Sequence, residues 1–348
     1  MASLYQVYFL INPQIHLLDL AGPVQAIDEA NRLTHQFDTH FIGFSGQIES
    51  HQGLSLAHIA SPPDQLPEHA IIFVCGSKYT DDIYTDEISR QSIDWLKKAI
   101  RPDTYIIGVC TGTFLLAKAG LSRGKEVTTH HDLAGVLATQ FPETQVLVDR
   151  IFVHSGNMIT SAGVTAGVDT TLYLIGILSS VKTAVDVARE LVVHRRRMAH
   201  DPQISMHLKH RNHISPLIHA VQDYIMENHR QPLTVSELCR YFRISQRHLQ
   251  RTFKEQTNTT LRDYIADIRL YEAKGLIENG MGVEQAAYLS GFPNPTSFRS
   301  LWKKRFASLP SQASSHSSPI LAVGDAVRDN RPAAKADKPQ NRTNSKTT

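Results

Sequence analysis

Cysteine is scarce in this 348-residue chain, with three in all: Cys75, Cys110 and Cys239. They are too few and too scattered for a disulfide framework or a cysteine zinc site, and they suit a reducing cytosol. Long apolar runs are lacking as well. The longest after the N-terminus, residues 172–178, falls far short of the roughly 20 residues a spanning helix needs, so no membrane partner is expected. The early run 4–11 has no basic segment before it and no small-residue cleavage pattern after it, and reads as a buried first strand rather than a secretory signal. Neither sign of charge dominates, with 36 Lys+Arg against 33 Asp+Glu and 41% hydrophobic residues. That balance excludes a collagenous, wholly disordered or membrane-embedded chain. No motif asks for a cofactor or a metal, and none is expected.

The net charge of +3 averages unlike parts. Residues 1–206 hold 15 basic against 21 acidic side chains, residues 207–310 hold 15 against 9, and residues 311–348 hold 6 against 3. An acidic body joined to a basic module suits a protein in which one part handles small molecules and another meets a polyanion. The length accommodates two or three domains.

Residues 4–180 alternate short apolar runs with helical periods. Strands are expected at 7–11, 39–44, 71–75, 105–110, 146–148, 151–154 and 158–161, with helices at 24–33, 88–100, 114–120 and 132–141. Near-continuous apolar strands alternating with helices imply a mostly parallel sheet covered on both faces. The division proposed is an α/β domain over 1–195, a polar, His-rich linker over 196–213, an all-α domain over 214–311, and a disordered polar tail over 312–348.

In the all-α part, Ile214, Leu217, Ile218, Val221 and Ile225 fall at helical spacing. Thr234 and Glu237 have the spacing of a capping box. A turn at 242–244 leads to Ser245, an expected N-cap, and the helix 246–256. Helix, tight turn, helix is how a second helix is offered to a major groove. The unit recurs after 48–49 residues. Cys239, Leu249, Phe253 and Lys254 are echoed by Ala287, Phe298, Trp302 and Lys303, and a long helix over 261–278 joins the two. A helical interaction domain that ignores nucleic acid is the competing interpretation.

In the α/β part, Tyr105-Ile-Ile-Gly-Val-Cys110-Thr-Gly-Thr-Phe-Leu-Leu reads as a strand, a sharp turn and a helix. This puts Cys110 beside a helix N-terminus, where exposed N–H groups lower a thiol pKa; the alternative is a small core cysteine. Asp19 follows the first strand at the carboxyl edge where parallel sheets place ligands, able to cap a helix starting near Pro23 or to meet a thiolate or ligand. Gly76 and Ser77 offer backbone N–H groups at the same edge, and His130 follows another strand.

The stretches SQRHLQRTFKEQTNTTLRDYIADIRLYEA and EQAAYLSGFPNPTSFRSLWKKRF resemble the two halves of the AraC-family DNA-binding domain. That resemblance places Arg247, Gln250 and Arg251 on a first recognition helix and Asn294, Thr296 and Arg299 on a second. Arg and Gln suit base edges, and Ser245, Lys254, Lys303 and Lys304 suit phosphates. Two departures stand out: Pro295, tolerable only in a helix's first turn, and Ala307-Ser308-Leu309-Pro310 in place of the usual Gly-x-x-Pro ending. The first half resembles the ThiJ/PfpI superfamily, with a flavodoxin-like fold related to class I glutamine amidotransferases. GVCTGTFLLAKAGL, TTHH and TSAGVTAGVD look like the amidase-like sensor domain of GlxA-type AraC regulators.

The combined resemblance implies a cytoplasmic bacterial transcription regulator, a non-enzyme that forms a homodimer on double-stranded promoter DNA. An amino acid or quaternary amine would bind at Asp19, Gly76, Ser77, Cys110, Thr111 and His130, and RNA polymerase would be a partner of an activator. The alternative is a Cys-dependent hydratase or hydrolase, because Asp19, Cys110 and Thr111 match the active-site positions of isonitrile hydratases. Thr111 stands where protease-like members carry His, which argues against a peptidase triad.

Overall fold

The computed structural model describes residues 4–314, apart from 195, 200, 206, 207, 279 and 307. The tail expected over 312–348 therefore lies outside the described residues except for its first three, which end a short helix. The chain divides between Lys209 and His210 into two compact units.

The first unit is built around a six-stranded sheet of order β2-β1-β5-β6-β10-β9. Its strands are β1 (Tyr5–Leu10), β2 (Phe37–Ile42), β5 (Ile71–Val74), β6 (Tyr105–Val109), β9 (Phe152–Ser155) and β10 (Met158–Ser161). Only β9 runs antiparallel. Short pairs β3 (Gln47–Glu49) with β4 (Ser55–Ala57), and β7 (Glu126–Val127) with β8 (Gln145–Val146), lie outside this sheet. Central strands such as β5 are apolar and buried at every position because both faces are covered. One core packs the sheet against α1 (Leu17–Thr34), α5 (Thr165–Leu178) and α6 (Val181–Glu190); the other packs it against α2 (Glu87–Ala99), α3 (Gly112–Lys118) and α4 (Ala134–Gln140). The order of connection reverses between β1 and β5, and such a switch point leaves a crevice at the carboxyl ends of the strands.

One boundary corrects the sequence reading. Helix α1 begins at Leu17, so Pro23 sits inside the helix and Asp19 in its first turn, and the residue capping the start is His16. An interior proline loses a hydrogen bond. Here the ring is packed against α5 at Gly167, where an added Cβ would come within 3.3 Å of Pro23 Cγ, so tertiary packing overrides the local signal.

The second unit contains α7 (Pro216–Asn228), α8 (Val235–Phe242), α9 (Gln246–Thr257), α10 (Leu261–Glu278), α11 (Val283–Leu289), α12 (Pro295–Phe306) and α13 (Pro310–Ser314). Both halves of the Thr234–Glu237 capping box form. Ile214 is 95% exposed and precedes α7, whose N-cap is Ser215, so it does not join the apolar face expected of it. Each helix-turn-helix turns on a left-handed residue, Arg243 at φ 53° and Gly291 at φ 85°. Glycine is required at the second, since a Cβ there would approach His229 O to 2.6 Å. Pro295 is the first residue of α12, where its missing N–H costs nothing.

Part of the polar segment 196–213 is docked rather than free. Arg197 Nε donates to Asp169 of α5 at 2.8 Å, and Gln203 Nε2 donates to the carbonyls of Thr129 and Arg150, both at 2.9 Å.

Candidate functional site

The carboxyl ends of β1, β5 and β6 bring together Asp19, Gly76, Ser77, Cys110 and Thr111, as their places after successive strands suggest. Cys110 occupies the elbow between β6 and α3 with φ 56°, a left-handed conformation that a non-glycine residue adopts only when its surroundings hold it there. Three glycines make that elbow possible. A Cβ on Gly112 would sit 1.9 Å from Val74 O; one on Gly76, 2.5 Å from Asp19 Oδ2; one on Gly163, at φ 87°, 2.2 Å from Cys110 Cβ. Thr129 Oγ1 donates to the Cys110 carbonyl at 2.8 Å.

The electrostatics differ from those expected. Burial pushes the Cys110 thiol well above its ordinary range, and the nearby Asp19 carboxylate pushes the same way, outweighing the N–H of Thr111. The helix start therefore does not yield a low-pKa thiolate. Asp19 is wholly buried, and burial raises its carboxyl to about 6 against the opposing hydrogen bond from Val164 N at 2.5 Å and the Cys110 side chain. Asp19 Oδ2 has no hydrogen-bond partner among the described residues, and His16 Nδ1 stands 3.9 Å from it. Rather than capping a helix near Pro23, this carboxylate ties α1 to the residue before α5.

The backbone of Ser77 is also committed. Its N–H donates to Thr111 Oγ1 at 2.8 Å and to Tyr84 Oη at 3.1 Å, while Thr111 Oγ1 donates back to Ser77 O at 2.7 Å. It is not a free anion-binding donor. The Ser77 hydroxyl is buried without a partner among the described residues. His130 is half-buried and accepts from Asp132 N at 3.4 Å; burial, then the charge of His131, lowers its pKa. Sequence reasoning missed His16, Tyr84, Gly163 and Val164. Gly163 and Val164 lie within TSAGVTAGVD, but nothing in that string says that its glycine closes over a cysteine more than fifty residues earlier.

In the second unit, Leu249, Phe253 and Thr257 bury one face of α9, leaving Arg247, Gln250, Arg251 and Lys254 on exposed positions of the same helix. Ser245 caps it by accepting from His248 N at 3.3 Å. On α12, Phe298 and Trp302 are buried, while Thr296, Arg299, Lys303 and Lys304 are exposed. Two of the side chains expected to meet DNA here are engaged within the protein. Asn294 accepts from Ser297 N at 2.8 Å and so caps α12, and Arg299 pairs with Glu284 at 3.2 Å. No helix among the described residues is long and apolar enough to cross a membrane.

Comparison with known proteins agrees with both units. Residues 5–176 match the DJ-1/PfpI family, and residues 238–315 match a helix-turn-helix domain. The chain is 27% identical over 311 residues to the HTH-type transcriptional regulator CdhR of Pseudomonas aeruginosa, covering 88% of this chain and 90% of that protein. It is 25% identical to the HTH-type transcriptional regulator GlxA of Rhizobium meliloti, over 88% and 95% of the two chains. The isonitrile hydratase of Pseudomonas putida is 33% identical over 190 residues, 53% of this chain and 77% of that enzyme. The chain thus belongs to the DJ-1/PfpI family through its α/β unit and carries behind it an AraC-type helix-turn-helix domain, the arrangement of the GlxA-like transcriptional regulators.

Proposed function

We propose that the protein is a sequence-specific, DNA-binding transcription regulator whose α/β unit senses a small metabolite. The observation that carries this reading is the match to regulators over 88% of the chain, which spans both the α/β unit and the helix-turn-helix unit. The exposed Arg, Gln and Lys side chains of α9 and α12 support it. Arg247, Gln250 and Arg251 address base edges, assisted by Thr296 and Arg299. Ser245, Lys254, Lys303 and Lys304 hold phosphates, and Asn294 serves chiefly by fixing the start of α12. The protein acts as a cytoplasmic homodimer on two half-sites, as an activator that engages RNA polymerase.

The effector, an amino acid or quaternary amine, binds at the edge formed by Gly76, Ser77, Cys110, Thr111 and His130, above Asp19. These residues other than His130 and Ser77's neighbouring surface are enclosed, so entry requires the covering segments near Thr129 and Gly163 to shift. Gln203 grips the first of these segments and Arg197 grips α5 beyond the second. A ligand that prefers the opened edge therefore alters the tether leading to the DNA-binding unit, which is the differential binding that coupling requires.

The test is competition binding of the purified chain to its own upstream DNA and to random duplex across a salt series. A preference for the former by a factor of about 10³ or more, weakening as salt rises, is expected. Equal affinity for both duplexes refutes the reading. A hydratase retaining a DNA-binding appendage is the second reading, favoured by the identity to isonitrile hydratase and by Asp19, Cys110 and Thr111 standing together. It requires isonitrile turnover that Cys110→Ser abolishes.

A further inference from the structure

Cysteine provides no metal site here, yet the fold assembles donors of other kinds. After β7 the chain passes through Thr128, Thr129 and His130 into a 3₁₀ turn at His131–Leu133. His130 has φ −53° and ψ 138°, and the turn that follows folds back on it, so three successive side chains converge instead of fanning out. The donor atoms of His130, His131 and Asp132 all lie within 4.8 Å of one another. His131 Nδ1 is 3.0 Å from one Asp132 oxygen, His130 Nδ1 is 3.7 Å from the other, and the two ring centroids are 4.2 Å apart. Zinc–nitrogen and zinc–oxygen bonds of about 2.0–2.2 Å in a tetrahedral arrangement put ligand atoms about 3.3–3.5 Å apart. Meeting that geometry takes donor shifts of no more than about 1.5 Å, the widest pairs closing and the His131–Asp132 pair opening slightly.

The backbone that aims them is held from several sides. Thr128 N donates to Thr160 Oγ1 at 2.8 Å, Thr128 Oγ1 to Leu147 O at 2.9 Å, Thr129 Oγ1 to Cys110 O at 2.8 Å, and Gln203 Nε2 to Thr129 O at 2.9 Å. The rings are about two-thirds covered and Asp132 is largely exposed, so an ion can enter from solvent and keep open coordination positions. Nitrogen donors select zinc-class ions over magnesium.

We propose that His130, His131 and Asp132 form a three-donor binding site for a divalent transition metal of the zinc class, with its remaining positions open to solvent or to a ligand. The site lies on the loop that holds the Cys110 carbonyl, so an ion there stiffens the edge assigned to the effector. It does not depend on whether the chain regulates transcription, because metal uptake is read without DNA.

The test is titration of the full, chelator-treated chain with Zn²⁺ in competition with a chromophoric chelator, together with Co²⁺ absorption spectra. One Zn²⁺ per chain is expected, with no displacement by equimolar Mg²⁺ and with Co²⁺ bands showing mixed nitrogen and oxygen ligation. His131→Ala and Asp132→Asn are each expected to weaken Zn²⁺ by about tenfold or more while melting normally in metal-free buffer. His219→Ala is the control, since His213 and His219 also stack at 4.2 Å, and it should leave the affinity unchanged. Binding that survives both loop variants, that is lost in the His219 variant instead, or that is absent from the starting protein overturns the proposal.

Discussion

Removing the Arg197 side chain tests how firmly the segment leaving the α/β unit is held. Asp169 on α5 is 5% exposed and accepts from Arg197 N at 2.9 Å and Nε at 2.8 Å, while Arg197 Nη2 also reaches Thr165 Oγ1 at 2.8 Å. Stripping one partner from a buried pair costs about 3–5 kcal/mol because the other charge stays buried without compensation. Arg197 keeps 30% of its side chain exposed, and its backbone N–H remains in Arg197→Ala, so about 2 kcal/mol is the expected loss after allowing for solvent screening. In a unit of this size that lowers the melting temperature by about 4–8 °C.

The loss has a pH signature. Burial raises the folded Asp169 carboxyl above its ordinary value, and the hydrogen bond and charge of Arg197 oppose that rise. Without the guanidinium the folded carboxyl holds its proton still more tightly than the unfolded one does. The variant's deficit is therefore full near neutral pH and shrinks as acid protonates the group. The chain has two tryptophans, one in each unit, so Trp302→Phe leaves Trp95 as the sole reporter of the α/β unit. Urea unfolding followed by Trp95 fluorescence, with and without Arg197→Ala, measures the difference. A deficit equal at acid and neutral pH, or below about 0.5 kcal/mol at neutral pH, where surface substitutions fall, refutes the clamp.

Asp19 makes a related prediction. Its folded carboxyl stands at about 6, above the unfolded value of about 3.9, so its own contribution to stability falls as pH climbs between those values, by about 3 kcal/mol in total. Asp19→Asn should flatten that part of the profile, and an unchanged slope in urea titrations would sink the assignment. Mass-spectrometric timing of iodoacetamide alkylation in the native protein should find partly exposed Cys239 modified well before buried Cys110; the reverse order would mean that Cys110 is a reactive thiolate after all. Gly163→Ala should cost about 2 kcal/mol or more, since it adds a methyl at a left-handed position directly over Cys110, and a wild-type melting curve would contradict the closed elbow. Arg247→Ala with Arg251→Ala should remove about 1–3 kcal/mol of specific DNA affinity per lost base contact. Equal losses on specific and random duplex would make them phosphate contacts.

Much of the architecture was legible because it rests on local chemistry. The apolar runs at 71–75 and 105–110 became central strands, and the Thr234–Glu237 box formed because both of its hydrogen bonds lie within one turn. The short strands Gln47–Glu49 and Ser55–Ala57 were missed, being too short to show a period. Ile214 fits a helical spacing on paper, yet Ser215 and Pro216 start the helix after it.

Sequence by itself determined the division into an acidic α/β part and a basic repeated helical part. It also determined the main strands of the central sheet and the places of Asp19, Gly76 and Cys110 at strand ends, because periodicity, charge and turn residues act over short stretches of chain; the short strands β3 and β4 and the helix α5 were not among the elements it marked. The state of Cys110 was decided by tertiary structure alone. A helix start favours the thiolate, but a buried carboxylate from α1 and a glycine before α5 close over the sulfur, and desolvation outweighs the helix. The meeting of His130, His131 and Asp132 has the same origin, since three adjacent residues share donors only when the surrounding loop is pinned into the turn that aims them.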